Sequence, residues 1–362
     1  MHITVSHESI EDILELIARI STKHLTLPIL QCALLEVSEG TLKVRGTNLE
    51  IGVEGVIAVA VQEEGKVSVS ASTLLQTISL IDQKEVILRT EGEVLVVETK
   101  TAKTAINTVP ADEFPHIPKV EGVGQVLQGK TFALGIKTAA FAASQSSIKP
   151  ELGSVYIYQK KEHTCTVVAT DSFRLVEKTI SEQGVILDTS MLIPAKNALE
   201  LARVCESRED NPTLYVSDNQ CALAFKDVYI TSRLTSGTFP DYVQIIPKEF
   251  ATHTTLLTKD LEAALKKTNI FLNKFLQLSL TLTGNTMELG SKGDSGTTSE
   301  TIQVVTEGDD ITLNFNQRYI QEILPYITDD SITIHFAGIG RPIVIEGVHD
   351  RSLRYLVMPM NK

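Results

Sequence analysis

The chain has 362 residues, with 33 lysines and arginines against 45 aspartates and glutamates, a formal net charge of −12. That length suits two or three domains, each able to bury its own core, and the acidic balance argues against a surface that binds nucleic acid all over, so any basic patterning must be local. No apolar run reaches transmembrane length and no charged-then-apolar leader opens the sequence, which predicts a soluble, unexported protein.

In chain order, His2 to Val5 predicts a strand and Ser6 a helix N-cap, with Glu8 in the first turn. Ile10, Ile13, Leu14 and Ile17 then form an apolar stripe at helical spacing. Strands dominate the rest of this stretch. ILQCALLEVSEGTLKVRGTN predicts a hairpin around Glu39-Gly40, and alternating runs come after Gly65 and Gly92, interrupted by a helix around Leu74 to Ile81. PHIPKVEGVGQ, rich in proline and glycine, predicts a linker.

The second stretch carries Lys130 and Lys137 on its first helix, then the polar loop SQSSIKPELGS with Lys149, and Lys196 and Arg203 on its second helix. Between them lies VVATDSFRLVEK, Val167 to Lys178. Cys165, Val167 and Ala169 alternate with Thr164, Thr166 and Val168, the pattern of a half-buried strand, and Asp171-Ser172 marks a tight turn. Phe173-Arg174-Leu175 just past that turn is poor core material and a good docking surface. FPDYVQIIPKEF closes the stretch and is expected to be extended.

In the third stretch Lys259, Lys266, Lys267 and Lys274 mark the first helix and its exit, and Arg318 lies on the second. The end, RYLVMPMNK, is apolar almost to its last residue, where a frayed terminus is usually polar. An exposed Met-Pro-Met suggests a tail that packs into a groove or helps to form one.

These stretches repeat one another. VRGTNLEIGVE places Thr47-Asn48 where Thr170-Asp171 stand, Phe114-Pro115 and Phe239-Pro240 close successive blocks, and Met358-Pro359 ends a third. Val5, Leu127 and Leu256 each precede a helical pattern with matching apolar positions, namely Ile10 and Leu14, Phe132 and Ile136, Leu261 and Leu265. A second helix is expected after Val69, Ile193 and Phe315. The chain therefore reads as three diverged copies of one unit of roughly 120 residues, 1–121, 122–249 and 250–362.

Little in it suggests catalysis. GDSG at Gly293 to Gly296 surrounds the nucleophile in trypsin-like proteases, but no histidine lies in a supporting motif, and GSKGDSGTTSE is expected to be a flexible hairpin loop. GVG at Gly122 to Gly124 does not open a helix after a strand, as a phosphate loop would. Glu63-Glu64, Asp309-Asp310 and Asp329-Asp330 fall in turn-like stretches, and the eight histidines lack ligand spacing. Cys32, Cys165, Cys205 and Cys221 show no CxxC and no partnering histidines, so reduced thiols are expected.

With the triplication, ATDSFRL, FPDYVQIIP and the terminal MPM, and with TLPIL, GTNLEIGVE, TVPADEFP and KPELGSVYI beside them, the chain resembles the bacterial sliding-clamp family, the β subunit of DNA polymerase III, over its whole length. The resemblance implies an α+β fold of three clamp domains, each two helices packed on antiparallel sheets. Two copies would close head to tail into a six-domain ring around duplex DNA. It implies a non-catalytic cytoplasmic processivity factor without cofactor or metal, and lysines facing a pore would reconcile the net charge with DNA. Mobile phosphate contacts suit a ring that slides.

By that resemblance the DNA-side residues are Lys23, His24, Ser146, Lys149 and Lys196. Replicative polymerase, clamp loader and repair proteins would dock a short peptide in a groove walled by Leu152, Thr170, Ser172, Phe173, Arg174, Leu175, Pro240, Ile245, Pro342, Leu356, Met358, Pro359 and Met360. Methionine suits a site with several partners because it repacks at little cost. The sequence departs from the family at Pro150 and Glu151, where aromatics are common, near His24, and at Gln244 and Asn361, where arginines are common. Ring closure would use Thr104 and Ile106 on one subunit against Ile270 and Phe271 on the other. Two rival classes stay open on the residues alone. An enzyme would need converging ionisable groups in a cleft. A DNA-free scaffold would lack cations on one face of its helices.

Overall fold

The computed structural model describes residues 1–21, 27–146, 148–181, 186–187 and 189–360, so Lys23, His24 and Asn361 lie outside the described residues. Among these, six α-helices occur as three pairs: α1 (His7–Ile20) and α2 (Ala71–Ser79), α3 (Gly129–Ala140) and α4 (Ala195–Ser207), α5 (Thr258–Thr268) and α6 (Gln317–Ile323). Each pair falls where the repeat places it. Every strand pairing among the described residues is antiparallel, both in local hairpins and in long-range pairs such as Val228–Arg233 with Ile51–Ala58.

The chain folds as two compact units, residues 1–130 with 200–234 and residues 131–199 with 235–362. In the first unit, α1 begins because the Ser6 side chain accepts a hydrogen bond from the Ser9 amide (3.4 Å), which satisfies an orphan donor of the first turn. Its stripe of Ile10, Ile13, Leu14, Leu16, Ile17 and Ile20 is wholly buried. Burial of each such side chain contributes about 1.5–3 kcal/mol before ordering costs. Close seating needs two glycines. A Cβ on Gly46 would lie 2.3 Å from Ile17, and one on Gly55 2.5 Å from Ile13. Beneath the helix runs a thirteen-stranded sheet whose middle joins the strands Thr41–Thr47 and Ile51–Ala58 to Val228–Arg233.

The second unit holds a nine-stranded sheet and a four-stranded one. In the former, Thr164–Thr170 pairs with Arg174–Ser181, which pairs in turn with the C-terminal strand Leu353–Val357. In the latter, α5 lies on the hairpin of Thr286–Gly293 and Gly296–Gln303, burying Leu261, Ala264 and Leu265. The buried Gln317 ties the α5–α6 pair together. Its Nε2 donates to the Leu265 carbonyl (2.8 Å), and its Oε1 accepts from the Thr268 hydroxyl (2.8 Å).

Four expectations need correction. Thr164–Thr170 is buried on both faces, because the segment after residue 238 covers the face taken to be open. PHIPKVEGVGQ is no loose linker: Ile117 and Val120 are buried, and the Val120 amide donates to the Tyr229 hydroxyl (2.7 Å). FPDYVQIIPKEF is interrupted by a 3₁₀ turn at Tyr242–Gln244. GSKGDSGTTSE is mostly strand, with a tight turn at Asp294-Ser295 between the paired Gly293 and Gly296. Those glycines have a packing reason: a Cβ on Gly293 would lie 2.9 Å from the Phe271 carbonyl, and one on Gly296 3.1 Å from the Phe271 ring. The four cysteines are buried and none is joined in a disulfide among the described residues, and burial pushes the Cys221 thiol up to about 12.

Candidate partner-docking groove

The site is built on the turn after Thr170, within the second unit. The Asp171 carboxylate accepts from the amides of Phe173 (2.9 Å) and Arg174 (3.1 Å). The Thr170 hydroxyl accepts from the Ser172 amide (3.2 Å) and donates to the Arg174 carbonyl (2.6 Å). Ser172 takes a left-handed φ of 78°, an uncommon conformation for a residue other than glycine and one that the surrounding bonds hold in place. The outcome is a sharp sorting of neighbours. Phe173 stands 60% exposed, whereas Arg174 is 7% and Leu175 3% exposed.

Arg174 is therefore not part of an outer docking face, as its sequence context suggested. Its guanidinium donates to Asp171 (3.1 Å), to the Phe141 carbonyl (2.9 Å) and to Glu322, and lies over the rings of Phe141 and Tyr319. Burial pushes the Glu322 carboxyl up, but hydrogen bonds from Arg174 and Arg318 outweigh it and hold the group below its ordinary value. Arg174 is a post that fixes the turn against α6. Nothing in the sequence pairs it with Glu322 or Tyr319, both distant in the chain.

The C-terminal tail continues from the sheet into the site. Arg174 pairs with Val357 and Leu175 with Leu356, after which the Met358 amide donates to the Phe173 carbonyl (2.8 Å) and the Met360 amide to the Asn314 carbonyl (2.7 Å). Met358, Pro359 and Met360 are half-buried. Leu175 and Leu356 share one apolar cluster with Val168, Leu192, Val344, Phe239 and Tyr242. Phe239 stacks on Tyr156 at 4.8 Å. The segment so anchored carries the exposed Pro240 and Ile245, the latter 51% exposed. Pro342 is buried beside Ile343, which pairs with Val357.

The expected wall thus separates into layers. Phe173, Ser172, Pro240 and Ile245 are exposed, the three tail residues are partly open, and Thr170, Arg174, Leu175, Pro342 and Leu356 lie beneath. Leu152 is also buried, but it closes the loop 144–152, whose ends meet where the Ser144 amide donates to the Leu152 carbonyl (2.8 Å). Phe239, Tyr242 and Asn314 belong to the same construction. Phe239 and Tyr242 could have been found in FPDYVQ; Asn314 acts through its carbonyl and leaves no side-chain signal.

Ser146, Lys149 and Lys196 are exposed. Lysines and arginines recur at i and i+7, the same face two turns apart, as Lys130 and Lys137 on α3, Lys196 and Arg203 on α4, and Lys259 and Lys266 on α5. The open side of α1 instead carries Glu8, Glu15 and the partly buried Glu11 and Asp12, with Arg19 exposed in its last turn. Thr104 is exposed, but Ile106 is buried in its own sheet, so any contact there would use its backbone. Ile270 is 69% exposed and Phe271 half-buried against the hairpin. Among the described residues no group of three or more His, Cys, Asp or Glu side chains is arranged to hold a metal ion.

Comparison with known proteins gives a consistent result. Family models of the N-terminal, central and C-terminal domains of the DNA polymerase III beta subunit match residues 1–118, 126–241 and 243–361. The beta sliding clamp of Escherichia coli K12 is 26% identical over 340 residues, covering 92% of this chain and 93% of that protein. The beta sliding clamp of Haemophilus influenzae is 24% identical over 99% of this chain and all of its own length. Among solved structures, the beta subunit of Thermotoga maritima superposes with a TM-score of 0.95 at 25% identity, covering 100% of this chain and 99% of that one. A Pseudomonas aeruginosa clamp bound to griselimycin gives 0.94 at 24% identity, with both chains fully covered. Three domain matches in order along one α+β chain leave a single assignment: the protein belongs to the DNA polymerase III beta subunit family.

Proposed function

We propose that this protein is a DNA sliding clamp, a non-catalytic processivity factor working in the cytoplasm. Its domains are residues 1–121, 122–249 and 250–362. Two copies form a ring around duplex DNA, independent of sequence, and the groove at Phe173 tethers the replicative polymerase, clamp loader and repair proteins through short peptides. The observation that carries this reading is the match of all three beta-subunit domains in order.

Three features support the parts. The cations at two-turn spacing on α3, α4 and α5 leave each helix a face with more positive than negative charge, even with Glu200 and Glu262 standing between them on α4 and α5, which favours a clamp over a DNA-free scaffold. Lys149 and Lys196 belong to this DNA-side set with Ser146, and Lys23 and His24 are assigned to it by sequence alone. Two strands offer unpaired edges for ring closure. Gly296–Gln303 ends its sheet, and Lys103–Val109 pairs with Ser68 and Val69 only at Val109 and Thr108, leaving Lys103 to Asn107 open on that side. Thr104 and Ile106 lie on one such edge, and Phe271 abuts the hairpin of the other. Last, the layered groove presents Phe173, Ile245, Met358 and Met360 over a rigid floor, which suits weak, exchangeable anchoring of a leucine and an aromatic.

The test is topological. Loaded protein should remain on nicked circular DNA and leave once the circle is linearised. Equal retention on both would mean ordinary binding and remove the ring.

A further inference from the structure

The face of the nine-stranded sheet beside the groove carries an arrangement that peptide docking does not use. His253 and His335 stand directly opposite each other on neighbouring strands, with Nδ1 to Nδ1 at 2.6 Å. A bond that short needs one nitrogen to donate and the other to accept. The pair can therefore be neutral or carry one proton in excess, but two imidazolium rings would both present N–H groups and the bond would break. Imidazole is the side chain whose charge ordinarily changes between pH 5 and 8.

The surroundings set the cost of each added proton. Glu346, on the next strand, lies 3.7 Å from Nε2 of His335 and is drawn down to about 2, first by that histidine and then by Arg354 and Arg351, against burial that would raise it. Arg354 Nε donates to Glu346 at 2.9 Å and its Nη1 to Glu177 at 3.4 Å. Glu307 is the strand partner of His253 on its other side, and Lys248 reaches the same space from the segment above. The first extra proton is thus shared next to a fixed carboxylate, whereas a second would set two cations together near Arg354 and Lys248. A cavity of about 500 Å³, lined also by Val243, Ile246 and Val344, adjoins both rings and admits water to them.

Phe250 rests on the pair, its ring centroid 5.1 Å from that of His335 and 5.8 Å from that of His253. Phe250 and Ile246 also pack on the cluster that floors the groove. The histidine pair consequently sits under the far end of the segment whose near end supplies Pro240 and Ile245.

We propose that His253 and His335 form a proton-operated latch: the hydrogen-bonded pair holds segment 239–250 against the sheet, and a second proton releases it and loosens the rim of the docking groove. The coupling to partners rests on the proposed groove; the latch itself does not. Hydrogen–deuterium exchange of residues 243–250, corrected for intrinsic rate, tests the latch on the full chain without any peptide. Because neighbouring cations oppose the second proton, protection should fall at least tenfold between pH 8 and about pH 4.5 in the wild type and stay constant in His335→Gln, whose amide cannot take a proton. Should His335→Gln not fold, His253→Gln serves the same comparison. Unchanged protection in the wild type, or an equal fall in wild type and variant, overturns the latch. Anisotropy of a labelled glutamine-leucine-phenylalanine peptide at pH 8 reads the groove separately, so failure of one reading does not masquerade as failure of the other.

Discussion

The turn at Thr47 and the turn at Thr170 are the same object built twice with different side chains. In each, a threonine hydroxyl donates to a carbonyl four residues on, at 2.9 Å to Ile51 and 2.6 Å to Arg174. In each, the following Asn48 or Asp171 accepts from two successive amides, and the third residue is left-handed, Leu49 at φ 74° and Ser172 at φ 78°. Even the cross-strand bond recurs: Arg233 donates to the Glu50 carbonyl and Met358 to the Phe173 carbonyl, both at 2.8 Å. What differs is what the frame leaves outside. The first turn displays Glu50 beside Arg233, a solvated charged pair of positions. The second displays Phe173 beside Met358. Backbone chemistry thus makes the turn, and a few outward side chains make one copy the proposed docking site.

Deleting residues 358–362 should break this comparison most strongly. It removes the bond to the Phe173 carbonyl and the two methionines, and the labelled peptide should lose at least about 100-fold in affinity, about 2.7 kcal/mol, while sedimentation shows the same assembly. Phe173→Ala should cost about 1–3 kcal/mol of binding, as for a central anchor. Glu50→Ala, the matching position in the other turn, should leave peptide affinity unchanged. If the shortened chain binds as well as the intact one, the groove lies elsewhere.

Next comes the frame itself. Thr47 and Thr170 are both buried, and replacing either by valine takes the partner from the Leu49 or Ser172 amide and one donor from the Ile51 or Arg174 carbonyl, although Ile51 keeps the Asn48 amide (3.2 Å). Each variant should lose about 1–3 kcal/mol of stability to chemical denaturation, and the two losses should agree within about 0.5 kcal/mol if the turns are equivalent. Only Thr170→Val should weaken the peptide. A much larger loss at one site would show that the resemblance of the two turns is geometric but not energetic.

Much of this is legible in the residues alone. The repeat sets the order of helix pairs because apolar spacing and capping act locally, and Ser6, Ile10 and Leu14 behave as their pattern requires. The packing of the tail beside Phe173 is legible because an apolar terminus is chemically unusual. The features that escape the sequence depend on distant partners. Arg174 reads as exposed because its company of Glu322, Phe141 and Tyr319 comes from other segments. Thr164–Thr170 reads as half-buried because threonines alternate there, yet a covering segment buries both faces. The sequence also divides into three, whereas the compact units are two, since the strands 213–233 pair on with the first third and 154–194 with the last. Strand pairing across repeats is invisible to any single-segment pattern.

The smallest expected effect, that of Lys119→Met, concerns how the covering segments are tied down at the two turns. Three residues past Ile51, Glu54 accepts from Lys119 (2.9 Å) and Arg45 (2.8 Å); three past Arg174, Glu177 accepts from the Tyr242 hydroxyl (2.5 Å). One tie is a charge pair with a lysine 57% exposed, and the other is a buried phenol. Burial pushes the Tyr242 hydroxyl up, so it remains a donor at any working pH. Tyr242→Phe should cost about 1–3 kcal/mol because Glu177 and Tyr158 both lose a partner. Lys119→Met should cost no more than about 1 kcal/mol, since exposed ion pairs are weak. Its pH dependence gives the sharper check. Burial alone would raise Glu54, but the bonds from Lys119 and Arg45 hold it below its ordinary value of 4.5. A carboxylate depressed in the folded state contributes stability above that ordinary value and loses it as pH falls through the folded value. The gap between wild type and Lys119→Met in denaturation should therefore be present at pH 7 and close progressively below 4.5, whereas the gap for Tyr242→Phe should not track it. A Lys119→Met penalty that persists unchanged in acid would place the tie in the ammonium lying over the Tyr229 ring, 3.7 Å from its centroid, and not in the ion pair.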